Sequence, residues 1–239
     1  AKSPRVKYLH FIGGETLLTP AFKRILLVLI DSGLHQDCTI GFTTNLTVWN
    51  AQINELLVKF QSVNAGLSVE CLHPVNDYIR YPSNLDTTCD LLKKWIHLAK
   101  AHSWFVQLRV TPTLLSVLHL DTVYKFAFEN EVAVEACNFL EHPKFLRPSL
   151  LPASYRRTVI DRLEHLCKDH NEPVAQLINT RHPDLVTQQL TQDLRSYINY
   201  LNHEPQPDGL HQLVHFLHAI EGSRGNRILH YLPEYEELL

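Results

Sequence analysis

The sequence predicts an α/β fold, with parallel strands alternating with helices over residues 1–150 and an all-helical extension over residues 151–239. Three observations carry this. Apolar, β-favouring runs begin near residues 6, 38, 66, 104 and 132, at spacings of about 28–38 residues, the length of a strand–helix–strand unit. Between them the apolar period changes from that of a strand to that of a helix. After residue 139 the β-favouring runs stop, Pro143, Pro148 and Pro152 punctuate the chain, and Gln, His and Asn become more frequent.

The elements follow in order. Val6–Ile12 reads as the first strand and ends in Gly13-Gly14-Glu15. A helix opens at Pro20, whose fixed φ suits a first turn, carries Phe22, Ile25, Leu26 and Leu29 on one face, and stops at Gly33. Cys38–Phe42 is the second strand, running into Thr43-Thr44-Asn45, with a helix over Asn50–Phe60. Gly66–Cys71 is the third, followed by a long loop over Asp77–Ser83 and a helix from Leu85 to His102 with Asn84 as N-cap. Trp104–Val110 is the fourth strand, ending at Thr111-Pro112-Thr113, and a helix covers Leu120–Asn130. Val132–Cys137 is the fifth. Further helices are expected over Ala153–His170, Asp184–His203 and Leu210–Gly222. The strands read as apolar on both faces, as in a sheet covered on both sides.

The totals bound the function. The chain is 45% hydrophobic and 20% charged over 239 residues, an ordinary globular composition with material for a sizeable core. A net charge of -3 argues against a phosphate-driven nucleic-acid binder. The longest apolar run, Ile25 to Ile30, is far too short to span a bilayer, and with no signal peptide a cytoplasmic protein is expected. Cys38, Cys71, Cys89, Cys137 and Cys167 are scattered singly, which makes neither a disulfide framework nor a metal knuckle. The chain has no Met, even at position 1, so residue 1 is expected not to be a native start.

Polar residues gather where each strand ends: Glu15, Thr43 to Asn45, Glu70, Thr111 and Asn138. In parallel α/β architectures those ends share the rim where ligands bind. Gly13 and Gly14 lack Cβ atoms, so a ligand can approach their backbone closely.

In sequence order, Gly13-Gly14-Glu15-Thr16-Leu17-Leu18, Thr43-Thr44-Asn45, Leu67-Ser68-Val69-Glu70, Tyr78-Ile79-Arg80-Tyr81-Pro82, Thr111-Pro112-Thr113, Asn138-Phe139-Leu140 and the closing Leu232-Pro233-Glu234-Tyr235 together resemble the radical S-adenosylmethionine enzymes. The likeness is to the branch with a short C-terminal twitch domain and covers most of the chain. It implies a partial (β/α) TIM-like barrel with S-adenosylmethionine held at the carboxyl rim, and residues 151–239 as the twitch-like region. Gly13, Gly14 and Glu15 would take the cofactor's ammonium, which calls for acceptors and negative charge. Ser68 and Glu70 would face its ribose or methionyl end, and Arg80 would grip its carboxylate through a bidentate fork. Thr43, Asn45, Thr111 and Asn138 would complete the rim.

The family's first strand is followed by C-x3-C-x2-C, whose thiolates hold a [4Fe–4S] cluster. No such triplet is present. The match begins at what would be the family's second strand, so the expectation is a fragment whose cluster ligands lie upstream and which alone is inactive. The resemblance implies reductive cleavage of the cofactor to a 5′-deoxyadenosyl radical, hydrogen abstraction from a substrate, a peptide being the leading expectation, and an electron donor as partner. Two other readings stay open: a cluster-less binding module of the same fold, and a metal-dependent hydrolase using His211, His215 and His218, which stand at i, i+4 and i+7. Only Cys137 and Cys167 fall in the second half, too few for an auxiliary four-thiolate cluster.

Overall fold

The computed structural model describes residues 6–135, 140, 142–170, 183–204 and 208–239. It is an α/β chain with parallel strands in the order of the sequence, β1 (Tyr8–Phe11), β2 (Thr39–Thr44), β3 (Ser62–Ser68), β4 (Phe105–Arg109) and β5 (Ala133–Glu135). Among the described residues the sheet is open, with β1 and β5 as its ends. Among the described residues the α-helices are α1 (Pro20–Asp31), α2 (Ala51–Leu57), α3 (Val75–Ile79), α4 (Leu85–His102), α5 (Leu120–Asn130), α6 (Ala153–Asp169), α7 (Pro183–His203) and α8 (Leu210–Arg224). The chain divides into two compact units, Ala1–Val69 with Asp86–Arg109, and Glu70–Leu85 with Val110–Leu239.

In the first unit the parallel register is continuous: Tyr8 pairs with Thr39, Thr39 with Ser62, His10 with Gly41, Gly41 with Asn64, and Asn64 with Phe105. One face of this sheet is apolar. Phe22 of α1 packs between Phe11 and Phe42, with ring centroids 4.8 and 5.8 Å apart, and Trp95 of α4 meets Phe42 at 5.4 Å. Ile40, Phe42, Val63, Leu67 and Leu108 are fully buried on this side. Asn50 caps α2 by accepting from the Ile53 N–H, and its amide donates to the Leu17 carbonyl, which ties α2 to the approach to α1.

The other face is polar, which corrects the expectation of strands apolar on both sides. Tyr8 and His10, Thr39, Gly41 and Thr43, Ser62, Asn64, Gly66 and Ser68, and Phe105, Gln107 and Arg109 occupy it by register. The apolar content of each strand had hidden a period-two alternation with glycine in the polar set.

Several boundaries also differ from the sequence reading. β3 begins at Ser62, four residues early, because pairing with β2 and β4 overrides the weak strand propensity of Ser62 and Asn64. α2 ends at Leu57, the chain then tightening through Lys59 and Phe60 N–H bonds to Leu56 and Leu57 carbonyls. The expected loop over Asp77–Ser83 starts inside α3, and the Leu85 N–H at the head of α4 donates to Asp77 Oδ2 at 2.9 Å. Residues 136–139, including Cys137 and Asn138, lie outside the described residues.

The second unit is mainly helical. Leu163 of α6, Leu194 and Tyr197 of α7, and Leu213 of α8 are buried in it. Arg156 Nη1 donates to the Leu201 and Glu204 carbonyls at the end of α7, satisfying acceptors a helix terminus leaves open. The Tyr235 hydroxyl donates to the Leu114 carbonyl. No helix among the described residues is long and apolar enough to cross a membrane.

Trp95 is fully buried and its indole N–H has no hydrogen-bond partner. Trp95→Ala is therefore expected to destabilise the chain by about 3–5 kcal/mol. Trp95→Phe, which loses no hydrogen bond, is expected to cost about 1–2 kcal/mol. Urea unfolding followed by circular dichroism measures both.

Candidate functional site

The residues expected at the rim fall into two sets, one in each unit. In the first, Glu15 stands just beyond β1. Its Oε1 accepts from the Leu17 N–H at 3.0 Å, and its Oε2 accepts from the Thr44 hydroxyl at 3.0 Å and the Asn45 N–H at 2.8 Å. One carboxylate thus caps the 3-10 turn Thr16–Leu18 and fastens it to the end of β2. A carboxylate offers about four acceptor positions, so three are filled from within the protein. Gly13, at φ +139°, and Gly14 are exposed, and a Cβ built on either would meet nothing within 4 Å. The turn before Glu15 is open backbone. Asn45 Oδ1 is engaged locally, accepting from the Thr47 N–H at 3.1 Å and the Thr47 hydroxyl at 2.6 Å.

The polar face behind this rim has a floor made by two glycines. A Cβ on Gly66 would stand 2.8 Å from Arg109 Cδ and Nε, and one on Gly41 would stand 2.4 Å from His10 Nδ1 and the Tyr8 hydroxyl oxygen. The Arg109 side chain therefore lies flat across β3, its Nη1 donating to Thr43 Oγ1 at 3.2 Å. Tyr8 and His10 lie flat across β2, their hydroxyl and Nδ1 2.9 Å apart. Sequence reasoning placed Thr43 and Ser68 here and missed His10, Asn64, Gln107 and Arg109. Their alternation, Asn64-Gly66-Ser68 and Gln107-Arg109, was the signal available.

In the second unit, Glu70, Arg80 and Thr111 come together. Glu70 is 8% exposed; its Oε1 accepts from Arg80 Nη2 at 2.7 Å and its Oε2 from the Thr111 N–H at 3.2 Å. The Glu70 N–H donates to Asn76 Oδ1 at 3.1 Å. Arg80 Nε and Asn76 Nδ2 are buried without a hydrogen-bond partner. Arg80 thus serves first as the partner of a buried carboxylate, where loss of one charge would strand the other.

A second cluster in this unit went unnoticed in the sequence. His73 and His119 stack with ring centroids 3.6 Å apart and an interplanar angle of 4°. His73 Nδ1 accepts from the Val75 N–H at 3.3 Å, so its neutral form carries the proton on Nε2. His119 Nε2 is 3.9 Å from Glu234 Oε1. Burial pushes both imidazoles down, His119 to about 4, with the His73 ring adding to the depression and Glu234 opposing it. Asp121 beside them is pushed up by burial. The two histidines are 46 positions apart in the sequence, and nothing local announces the pair.

The remaining metal and thiol candidates separate. His211, His215 and His218 are all exposed while Leu213 and Leu217 of the same helix are buried. Among the described residues, no three of His, Cys, Asp and Glu stand close enough to hold a metal ion. Cys38, Cys71 and Cys167 are free thiols. Burial pushes the Cys38, Cys71 and Cys167 thiols up, Cys71 to about 12, so these sulfurs are poor thiolate donors. Compared with protein-family models, curated proteins and solved structures, the chain matches none.

The stacked histidines make stability pH-dependent. An unfolded His takes up a proton near pH 6.5, whereas folded His119 resists until about 4. The unfolded state therefore gains protons first, and stability is expected to fall as pH drops from 6.5 towards 4, by up to about 3 kcal/mol from this residue. His119→Gln should flatten that slope in denaturant titrations at stepped pH.

Proposed function

We propose that this chain is the greater part of a radical S-adenosylmethionine barrel, and that the polar face of its first unit receives the cofactor at the rim. The observation that carries this is the one-sided sheet: helices against one face, and on the other a glycine-floored polar surface whose edge is the open Gly13-Gly14 turn. Layering of that kind suits a partial barrel, whose inner face is kept for ligands, better than a doubly wound sheet with helices on both sides.

The residues fit the cofactor. Its ammonium needs acceptors, and the backbone carbonyls of the exposed Gly13 and Gly14, with the remaining lone pair of Glu15, would supply them. Thr43, Asn45 and Ser68 provide hydroxyl and amide groups for its ribose. A cluster held by residues elsewhere in the enzyme would supply the electron for cleavage of the cofactor. The role of this chain's residues is to bind, orient and exclude water. Cys38, Cys71 and Cys167 do not suit a [4Fe–4S] cluster, being scattered singly and buried, with their thiols pushed up by burial. The three thiolates would have to come from other residues. Hydrogen abstraction from a peptide remains the proposed reaction on the strength of the resemblance.

Two measurements test this. Anaerobic reconstitution of residues 1–239 alone with iron and sulfide is expected to give no stoichiometric cluster. In a polypeptide that includes a three-cysteine loop, calorimetry is expected to show S-adenosylmethionine binding that Glu15→Gln weakens by about two- to tenfold and no more, since the Gly13 and Gly14 carbonyls still accept. Absence of binding, or affinity indifferent to Glu15, would overturn the assignment.

A further inference from the structure

Across the polar face of the first unit, His10, Gly41, Asn64 and Phe105 stand level on four neighbouring strands. Their side chains lie opposite the layer where Phe22 and Trp95 meet Phe42, so the packed core does not account for them. Both ends of the row carry exposed rings. Phe105 is 48% exposed, and Tyr8, whose hydroxyl is 2.9 Å from His10 Nδ1, is 49% exposed. The Tyr8 and His10 rings stack with planes 22° apart, and both reach over β2 into the space that Gly41 leaves without a Cβ.

Asn64 stands between these rings. It is half-buried, and among the described residues its side chain makes no hydrogen bond. Asn is a poor strand former, and a carboxamide sheltered from water without a partner costs stability. Neither strand propensity nor packing explains its place.

The spacing defines what the row can hold. Neighbouring strands are about 4.8 Å apart, so the Tyr8 hydroxyl over Gly41 and the Asn64 amide are on the order of 5 Å apart. One polar atom bonded to both fills that gap, since two hydrogen bonds of about 2.9 Å span it. The Asn64 carboxamide offers a donor and an acceptor in one plane, which a second amide matches in both. No Asp, Glu, Lys or Arg stands in the row, so it selects no fixed charge. An apolar group would leave the Asn64 amide unpaired.

We infer that this row binds a neutral amide of the substrate, Asn64 pairing with it, the Tyr8 hydroxyl completing the contact and Phe105 shielding it. The inference rests on the reading of this face as the ligand-facing side, and it adds where a peptide substrate is gripped. Asn64 precedes Ser68 at the rim by four residues of β3. That is about 13 Å along the strand, a span that about four residues of extended peptide cover. The row is thus an anchor set away from the rim, and Asn64 a specificity residue rather than a catalytic one.

The test titrates isotopically labelled residues 1–239 with N-acetylglycine N-methylamide and follows the amide resonances by NMR. Saturable shifts are expected at Gly41, Asn64 and Phe105, the Asn64 side-chain NH2 included. Asn64→Leu should leave the Tm unchanged and weaken the capped peptide at least about fivefold. Phe105→Ala, at an exposed ring, should weaken it as well. Sodium acetate at the same concentration should leave these resonances unmoved. Absence of saturable shifts in this row, equal shifts with acetate, or peptide affinity indifferent to Asn64→Leu would overturn the inference. So would adenosine displacing the peptide here, which would assign the row to the cofactor's base. Cofactor calorimetry with Glu15→Gln is a separate measurement, so the anchor and the cofactor site can fail independently.

Discussion

A chain that moves from strand to helix to the next parallel strand must cross over with one hand, because a right-twisted strand packs its helix back on the sheet only that way. When every step also goes to the adjacent position in the same direction, the helices accumulate on one face. The order β1 to β4 imposes that condition here. The apolar residues of alternate strand positions then have one layer to face, and Phe22 and Trp95 fill it against Phe11 and Phe42. The opposite positions are released from the core. They carry His10, Thr43, Asn64, Gln107 and Arg109, with glycine where two of those side chains lie flat.

The alternation of strand and helix was legible because it is a matter of period, and period survives single substitutions. Helix α5 was bounded to the residue, and α4 likewise, since each carries a clear apolar stripe between breaks in the pattern. The early start of β3 was not legible, because its first residues become strand through partners on both sides rather than through their own preference. The polar face was readable in principle. Glycine among Asn64, Gly66 and Ser68 lowers the local signal, and runs such as Ile40 to Phe42 dominate the impression each strand makes. The stacked His73 and His119 lay beyond any local reading, since their contact is a product of tertiary packing.

Both carboxylates singled out in the sequence proved to be structural fasteners as well as candidate ligands. Glu15 holds the turn after β1 to the end of β2, and Glu70 holds Arg80 to the backbone at Thr111. A carboxylate already fixed by two or three donors has little conformational freedom left to lose, which suits a group that must present a set geometry. The same economy ties folding to the site, since removing either charge strands its donors.

The three tryptophans, Trp49, Trp95 and Trp104, all belong to the first compact unit, and Trp49 and Trp95 meet edge to face at 5.1 Å. Intrinsic indole fluorescence is thus a reporter confined to the sheet-bearing unit and blind to the helical one. Far-ultraviolet dichroism, weighted towards α5 to α8, watches the other. Whether the two signals melt together or apart measures directly whether the halves of this chain form one cooperative system.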